Sequence, residues 1–290
     1  MKEIAIIGAT ASGKTGLSID IAQKTNSVIL SLDSLSVYKQ IDIASAKPTK
    51  EERGDILHFG IDEVFPNEKF DVIQFMELYK KTKNYAIQNN KNLIIVGGTG
   101  FYLKALIEGL SKGLKEDIKL DIPLQEAYEL LLSVDKSYME KIASADRYRI
   151  EKAYSIYKQT QMAPSKYFEL NPKEPLAKDL KIFEIVWDRE ELRQRINLRT
   201  KQMIKDGVID EVIFLEQKYR RVPNCMSAIG IIETLAYLDG KIKTKEELEE
   251  KIALNTAKLA KRQNTFNKGQ FKNKTSNIIK NLNSDILKFF

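Results

Sequence analysis

Gly8-Ala9-Thr10-Ala11-Ser12-Gly13-Lys14-Thr15 follows the apolar run Ile4 to Ile7. It opens onto Lys14 to Lys24, where Leu17, Ile21 and Ala22 recur at helical spacing. The octapeptide fits G-x-x-x-x-G-K-[ST], and each fixed position has a chemical reason. Glycines let the backbone curl so that successive N–H groups point inward at a phosphate. Lys14 brings a mobile positive charge to a terminal phosphate, and the Thr15 hydroxyl can ligate Mg2+. The helix that follows turns its positive end toward the anion. Strand, phosphate loop and helix in this order predict the first unit of a parallel αβ sheet.

Further apolar runs extend that reading. Val28 to Leu32 ends at Asp33, Leu93 to Val96 ends in Gly97-Gly98-Thr99-Gly100, and Lys181 to Trp187 is a fourth run. Phe70 to Asn89 has helical spacing through Ile73, Met76, Tyr79 and Ile87. Strands alternating with helices predict an α/β fold, a P-loop NTPase-like parallel sheet core flanked by helices. Ligands in such sheets sit at the carboxyl ends of the strands. The phosphate loop, Asp33 and Thr99 are therefore expected side by side, with Asp33 a candidate base or Mg2+ partner. A nucleotide-driven motor or switch carries an acid at the end of an apolar strand to hold Mg2+ through water. The run Leu93 to Val96 meets glycine there instead, which counts against that class.

Residues 119 to 178 differ. Leu124 to Val134, Ser137 to Ala143 and Arg147 to Thr160 read as helices, with Asp146 positioned to cap the last. Pro164, Pro172 and Pro175 mark the return. An all-helical insertion at 119–178 thus divides a core of residues 1–118 and 179–290. From Trp187 to about residue 268 the pattern is helical, and beyond Asn267 a Lys- and Asn-rich tail reads as partly disordered.

At 43% hydrophobic residues, the 290-residue chain can bury a sizeable core. The lone cysteine, Cys225, forms no internal disulfide and is expected as a small buried apolar residue in a reducing cytosol. The sole histidine, His58, sits in Leu57-His58-Phe59 and reads as a packed core residue. No apolar run approaches the roughly 18 residues of a membrane span, and the start resembles a strand rather than a signal peptide. Residues 251 to 290 hold nine Lys and Arg against one acid, Asp285, more than the whole formal excess of +7. A basic end on a near-neutral body points to a polyanion such as RNA. Lys258, Lys261 and Arg262 fall at spacings of three and four and share a helix face.

Together these segments resemble the tRNA dimethylallyltransferases, also called tRNA isopentenyltransferases. The specific blocks are Asp33-Ser34-Leu35-Ser36-Val37-Tyr38, Asp42-Ile43-Ala44-Ser45-Ala46-Lys47-Pro48 and Gly97 to Leu106. Arg195-Ile196 with Arg199, Met203 and Gly207, and the run Ala260-Lys261-Arg262-Gln263, follow in the same order. The resemblance implies transfer of a dimethylallyl group from dimethylallyl diphosphate to N6 of the adenosine 3′-adjacent to the anticodon of a tRNA. It implies Asp33 as general base, with Thr99 and Lys14 beside it. Gly8 to Thr15 would hold the diphosphate rather than ATP, and Thr15 would touch Mg2+. Ser34, Leu35 and Ser36, with Asp33 and Thr99, would meet the tRNA. So would Tyr148, Arg149, Ile150, Glu151 and Lys152 of the insertion, which would grip the anticodon stem-loop, and Lys258 and Arg262. A cytoplasmic monomer is expected. The chain departs from the family at Ser227 and Ala257, where relatives carry Arg, and at Ile231-Ile232, where they carry a Tyr–basic pair.

Two rival functions share these motifs. A small-molecule kinase would place ATP in the loop with Asp33 as base; it needs arginines over the transferred phosphate, and the arginines here lie far along the chain. An RNA-binding module with a vestigial loop would not need the intact Lys14, Thr15 and Asp33.

Overall fold

A computed structural model describes every residue except Lys115 and Asp117. The chain falls into two units, Met1–Leu106 with Asp179–Phe290, and Ile107–Lys178. Strands of the first unit are β1 (Glu3–Gly8), β2 (Ser27–Leu32), β3 (His58–Phe59), β4 (Asn92–Gly97), β5 (Lys181–Ile185) and β6 (Lys274–Asn277). They form one sheet in the order β3-β2-β4-β1-β5-β6, and every pair is parallel. The register sets Ile4 beside Ile94, Ile6 beside Val96, and Leu32 beside Gly97. Ile4, Ile6, Ile29 and Ile94 are fully buried with Leu17 and Ile21 of the Lys14–Thr25 helix. A sheet covered on both faces needs such continuous apolar strands, which is why the four runs were readable.

Two strands escaped the sequence reading. β3 is only two residues long. β6 is Lys-Thr-Ser-Asn, with no apolar residue to betray it. The region beyond Asn267 is ordered structure, not a disordered tail. After β6, the Ile279–Phe289 helix buries Leu282 and Ile286 completely against Leu17, Ile19 and Ile21. Those apolar residues sit at helical spacing between lysines and asparagines, so average composition concealed them.

The second unit is helical, with Leu124–Val134, Lys136–Met139, Arg147–Thr160 and Pro164–Leu170. Its own core holds Ala127, Leu131, Met139, Ile150, Ala153 and Tyr154. Asp146 caps its helix by accepting from the Arg149 amide at 3.1 Å. The helix expected over Ser137 to Ala143 starts one residue earlier, at Lys136, where Asp135 is its N-cap, accepting from the Tyr138 amide, and it ends at Met139; Asp135 also accepts from the Ser165 amide at 2.7 Å. The unit begins ahead of residue 119. The Tyr167 hydroxyl donates to the Lys112 carbonyl at 3.1 Å, and the Glu174 backbone packs where a Cβ on Gly109 would be.

Candidate active site

Because β2, β4 and β1 are adjacent and parallel, their carboxyl ends bring three loops to one edge: Asp33, Gly97-Gly98-Thr99 and the phosphate loop. The close approach has a steric condition. A Cβ on Gly97 would lie 2.1 Å from the Leu32 carbonyl oxygen, so β2 and β4 can end together only with glycine there. The Thr99 amide then donates to the Leu32 carbonyl at 3.1 Å, and its Oγ1 accepts from the Ser34 amide at 3.2 Å. Asp33 closes a tight turn, its Oδ1 accepting from the amides of Leu35 at 2.8 Å and Ser36 at 3.2 Å. Both bonds use Oδ1; among the described residues no hydrogen bond uses Oδ2.

A cavity of about 490 Å³ opens between these loops. Thr10, Lys14, Thr15, Asp33, Ser34, Leu35, Ser36 and Thr99 all line it. Its other walls are largely apolar, including Ala44, Ala46, Met203, Ile252 and Leu259. His58 lines it too. It is half-buried on β3, with Nδ1 2.8 Å from the Ile56 carbonyl, and burial lowers its pKa. Glu211 fixes the wall at residues 42–44, its carboxylate accepting from the amides of Asp42, Ile43 and Ala44 at 2.7–2.9 Å. Burial of Glu211 raises its pKa despite those three amides.

The phosphate loop is held from outside by side chains that are distant in sequence. Gly13, at φ +88°, starts the Lys14–Thr25 helix in a left-handed conformation open to glycine. Trp187 Nε1 donates to the Ser12 carbonyl at 2.9 Å, and Arg195 Nε to the Ala11 carbonyl at 2.8 Å. The Arg195 guanidinium also stacks 4.5 Å from the centre of the Trp187 ring. Arg199 donates to Thr10 Oγ1 at 3.1 Å. A smaller cavity of about 350 Å³ lies among Ala11 to Thr15, Arg195, Leu198 and Arg199. Lys14 Nζ donates to the Ala9 carbonyl at 2.7 Å. Burial, and next the neighbouring Arg199 charge, push the Lys14 ammonium down to about 8, with Asp33 opposing. Burial also lowers Arg199, again opposed by Asp33. A site holding two half-buried cations near one carboxylate is short of negative charge and suited to an anion.

Arg195, Arg199, Trp187 and Gln263 were not among the expected site residues. The Asp188-capped helix Arg189–Lys205 carries both arginines at i and i+4, on one face. That spacing was the available signal. Their distance along the chain also said nothing about reach, so the objection it raised to a kinase does not hold. Ser227 lines the large cavity, and Ala257 packs against the cluster of Ala9, Leu192, Ile196 and Ala260.

The remaining expected residues divide. Lys258 and Arg262 are exposed on the Lys245–Gln270 helix and do not line the cavity. In the helical unit Tyr148 is 70% exposed. Arg149 pairs with Asp146 at 3.1 Å, and Glu151 pairs with Arg147 at 2.9 Å. Lys152 lies over the Tyr148 ring. Ile150 is the exception: it is fully buried in that unit's core, so its side chain offers nothing to a partner. Tyr154 is buried with its hydroxyl on Asp121, and Cys225 is buried near the Pro66 carbonyl, its thiol pushed up by burial. Both are packing residues.

Mg2+ takes few protein ligands, keeping waters and substrate phosphates for the rest. Thr15 and Asp33 offer oxygens in the cavity, and Ser12 Oγ, buried in the loop, has no hydrogen-bond partner among the described residues. Among the described residues no group of three or more His, Cys, Asp or Glu forms a cage. This donor set fits a metal brought in with a diphosphate. No helix among the described residues is long and apolar enough to cross a membrane.

Fold and site together define a P-loop NTPase-like α/β protein whose glycine-bounded loop lines one cavity with a carboxylate. A family model described as IPP transferase matches residues 36–270. A protein named tRNA dimethylallyltransferase from Aliarcobacter butzleri (strain RM4018) is 72% identical over 290 residues, covering 100% of this chain and 99% of its own. One of the same name from Sulfurovum sp. (strain NBC37-1) is 55% identical, over 94% of this chain and 93% of its own. The crystal structure of a full-length tRNA isopentenylpyrophosphate transferase from Bacillus halodurans superposes with a TM-score of 0.75 at 29% identity, over 99% of this chain and 95% of that one. A eukaryotic dimethylallyltransferase caught acting on tRNA gives a TM-score of 0.85 at 25% identity, over 96% of this chain and 74% of that one. The chain belongs to the IPP transferase family and is a transferase.

Proposed function

We propose that the chain moves a dimethylallyl group from dimethylallyl diphosphate to N6 of the adenosine 3′-adjacent to the anticodon of a tRNA. One observation carries the reading. Lys14, Thr10 and Arg199 border the same cavity as Asp33 and Thr99, so an anionic leaving group and a proton acceptor have places in one enclosure.

The N6 amine is a weak nucleophile because its lone pair is shared with the ring. In the transfer, N6 forms a bond to the allylic C1. The C1–O bond breaks, and its electron pair leaves with diphosphate. Asp33 takes the proton from N6 through Oδ2, the oxygen its own turn does not use, and later yields it to water. Ser34 holds the Thr99 hydroxyl beside Asp33, where it can donate to the leaving oxygen or the acceptor. Lys14 lets go of the Ala9 carbonyl and, with Arg199 and the loop amides, meets the charge growing on diphosphate. Mg2+ bound through Thr15 would supply further positive charge to the same oxygens. The apolar walls suit the prenyl group and exclude water from it.

An adenosine in an anticodon loop leaves its stack at less cost than a paired base. Ser34, Leu35 and Ser36 would meet it at the cavity. Lys258 and Arg262 would meet RNA phosphates, as would the exposed Tyr148 and Arg149 and the half-buried Lys152 of the insertion. A cytoplasmic monomer completes the reading, since substrate tRNA is found there and Cys225 stays reduced.

The test is transfer of label from radiolabelled dimethylallyl diphosphate to unmodified tRNA, with Mg2+ and without ATP. Wild type labels the RNA, and Asp33→Ala loses on the order of 100-fold or more in turnover. A folded wild type that labels nothing and turns over ATP would make it a kinase.

A further inference from the structure

The loop that would bind the donor and the turn that flanks the base are joined by one side chain. Gln263 extends from the Lys245–Gln270 helix into the cavity wall, below Leu259, Thr256 and Ile252 of the same face. Its Oε1 accepts from the Thr10 amide at 2.8 Å, and its Nε2 donates to the Gly98 carbonyl at 3.1 Å. The fit is tight: a Cβ on Gly98 would lie 2.3 Å from Nε2. Gly98 leads directly into Thr99, whose hydroxyl is tied to the Ser34 amide beside Asp33. An unbroken path of polar bonds and backbone thus runs from the phosphate loop to the base.

The Thr10 bond is informative. A phosphate loop offers its amides to the anion, yet this amide is turned to a side chain. The glutamine therefore adds nothing to the charge on diphosphate; what it fixes is where the loop sits relative to the next strand. An amide can do this because it presents one acceptor and one donor on a rigid plane.

We infer that Gln263 is a positioning residue, whose amide sets the separation between the phosphate loop and the Gly98–Thr99 turn so that donor carbon and acceptor amine meet. This rests on the transfer reading above. Its signature is a fault in alignment and not in binding. A displacement of about 1 Å in a reacting pair can lower a rate on the order of 100-fold.

The experiment compares wild type with Gln263→Met, which keeps the length and removes both bonds, and Gln263→Asn, which is too short to span both. The single tryptophan, Trp187, bonds to the phosphate loop, so its fluorescence reports binding of inorganic pyrophosphate without any transfer. In the Met variant, pyrophosphate affinity and both KM values stay within about threefold while kcat falls roughly 10- to 100-fold; the Asn variant falls between. Combining Gln263→Met with Thr99→Ala lowers kcat little beyond the worse single variant, because both act through the same turn. Unchanged kcat in a folded variant, or a loss that appears wholly as weaker pyrophosphate binding, overturns the assignment. A wild type that binds pyrophosphate and labels no RNA brings down the transfer reading, and this inference with it.

Discussion

The phosphate loop and the C-terminal segment Ile279–Phe289, a helix, touch each other, yet they are held mainly by different means. The loop is fastened by single polar bonds from Trp187, Arg195, Arg199 and Gln263, each aimed at one backbone atom or hydroxyl. The segment is fastened by volume, with Leu282 and Ile286 filling space against the Lys14–Thr25 helix. They meet where Ile279 Cδ1 lies 2.8 Å from the place of a Cβ on Gly13. The difference separates two kinds of fault. Damage to the loop should change binding and rate in a folded protein, and damage to the segment should change stability while leaving the folded fraction competent.

The largest effect is expected at the point of contact. Gly13→Val puts a branched side chain at φ +88° and against Ile279, so both regions fail together. Its turnover should fall on the order of 100-fold or more. Gly13→Ala with Ile279→Ala relieves the contact and leaves the backbone strain. If that pair restored full pyrophosphate binding, steric contact and not conformation would be what the glycine serves.

Leu282→Ala comes next. It should cost about 2–5 kcal/mol in denaturant unfolding, as expected for a fully buried leucine, without changing pyrophosphate affinity below the transition. Weakened binding in the folded variant would erase the distinction between the two regions.

A smaller effect follows from Lys14, which burial holds at about 8. Pyrophosphate needs the charged form. Its affinity should fall as pH rises from 7 to 9, and by no more than about tenfold per pH unit from this one group. Binding near pH 8 should also take up protons, since the anion draws the ammonium back to its charged state. Lys14→Arg, charged throughout, should flatten the profile. The stability term has the opposite slope. The folded value lies below the unfolded one, so the unfolded chain binds more protons between about 8 and 10.5, and this group's contribution to stability rises with pH across that window.

What could be read from the sequence followed the same division. The loop, Asp33 and Thr99 were legible because each lies at the end of an apolar strand, and parallel strands deliver their ends to one edge. The chemistry there is local in sequence. Arg195, Arg199 and Gln263 were visible as residues and not as site members, since their reach depends on how two helices pack over the loop. The helical insertion was readable from its spacing, but spacing could not say that Ile150 points inward. β6 was illegible for a different reason. It is a strand by virtue of its neighbour, pairing Lys274 to Asn277 with Ile182 to Ile185, and its own residues carry no alternation.

That polar sixth strand has a consequence for how the chain is made. Without it the sheet would end on Lys-Ile-Phe-Glu-Ile, an apolar β5 with its outer row of amides and carbonyls open to another chain. β6 takes up that row and closes the sheet on lysine, threonine, serine and asparagine, while the two-residue β3 leaves little to pair with at the opposite margin. On the ribosome β6 is synthesised long after the five strands it completes. Between the emergence of Ile185 and that of Lys274 the nascent chain carries an adhesive margin, and it becomes a poor partner for its neighbours only when Lys274 to Asn277 have followed.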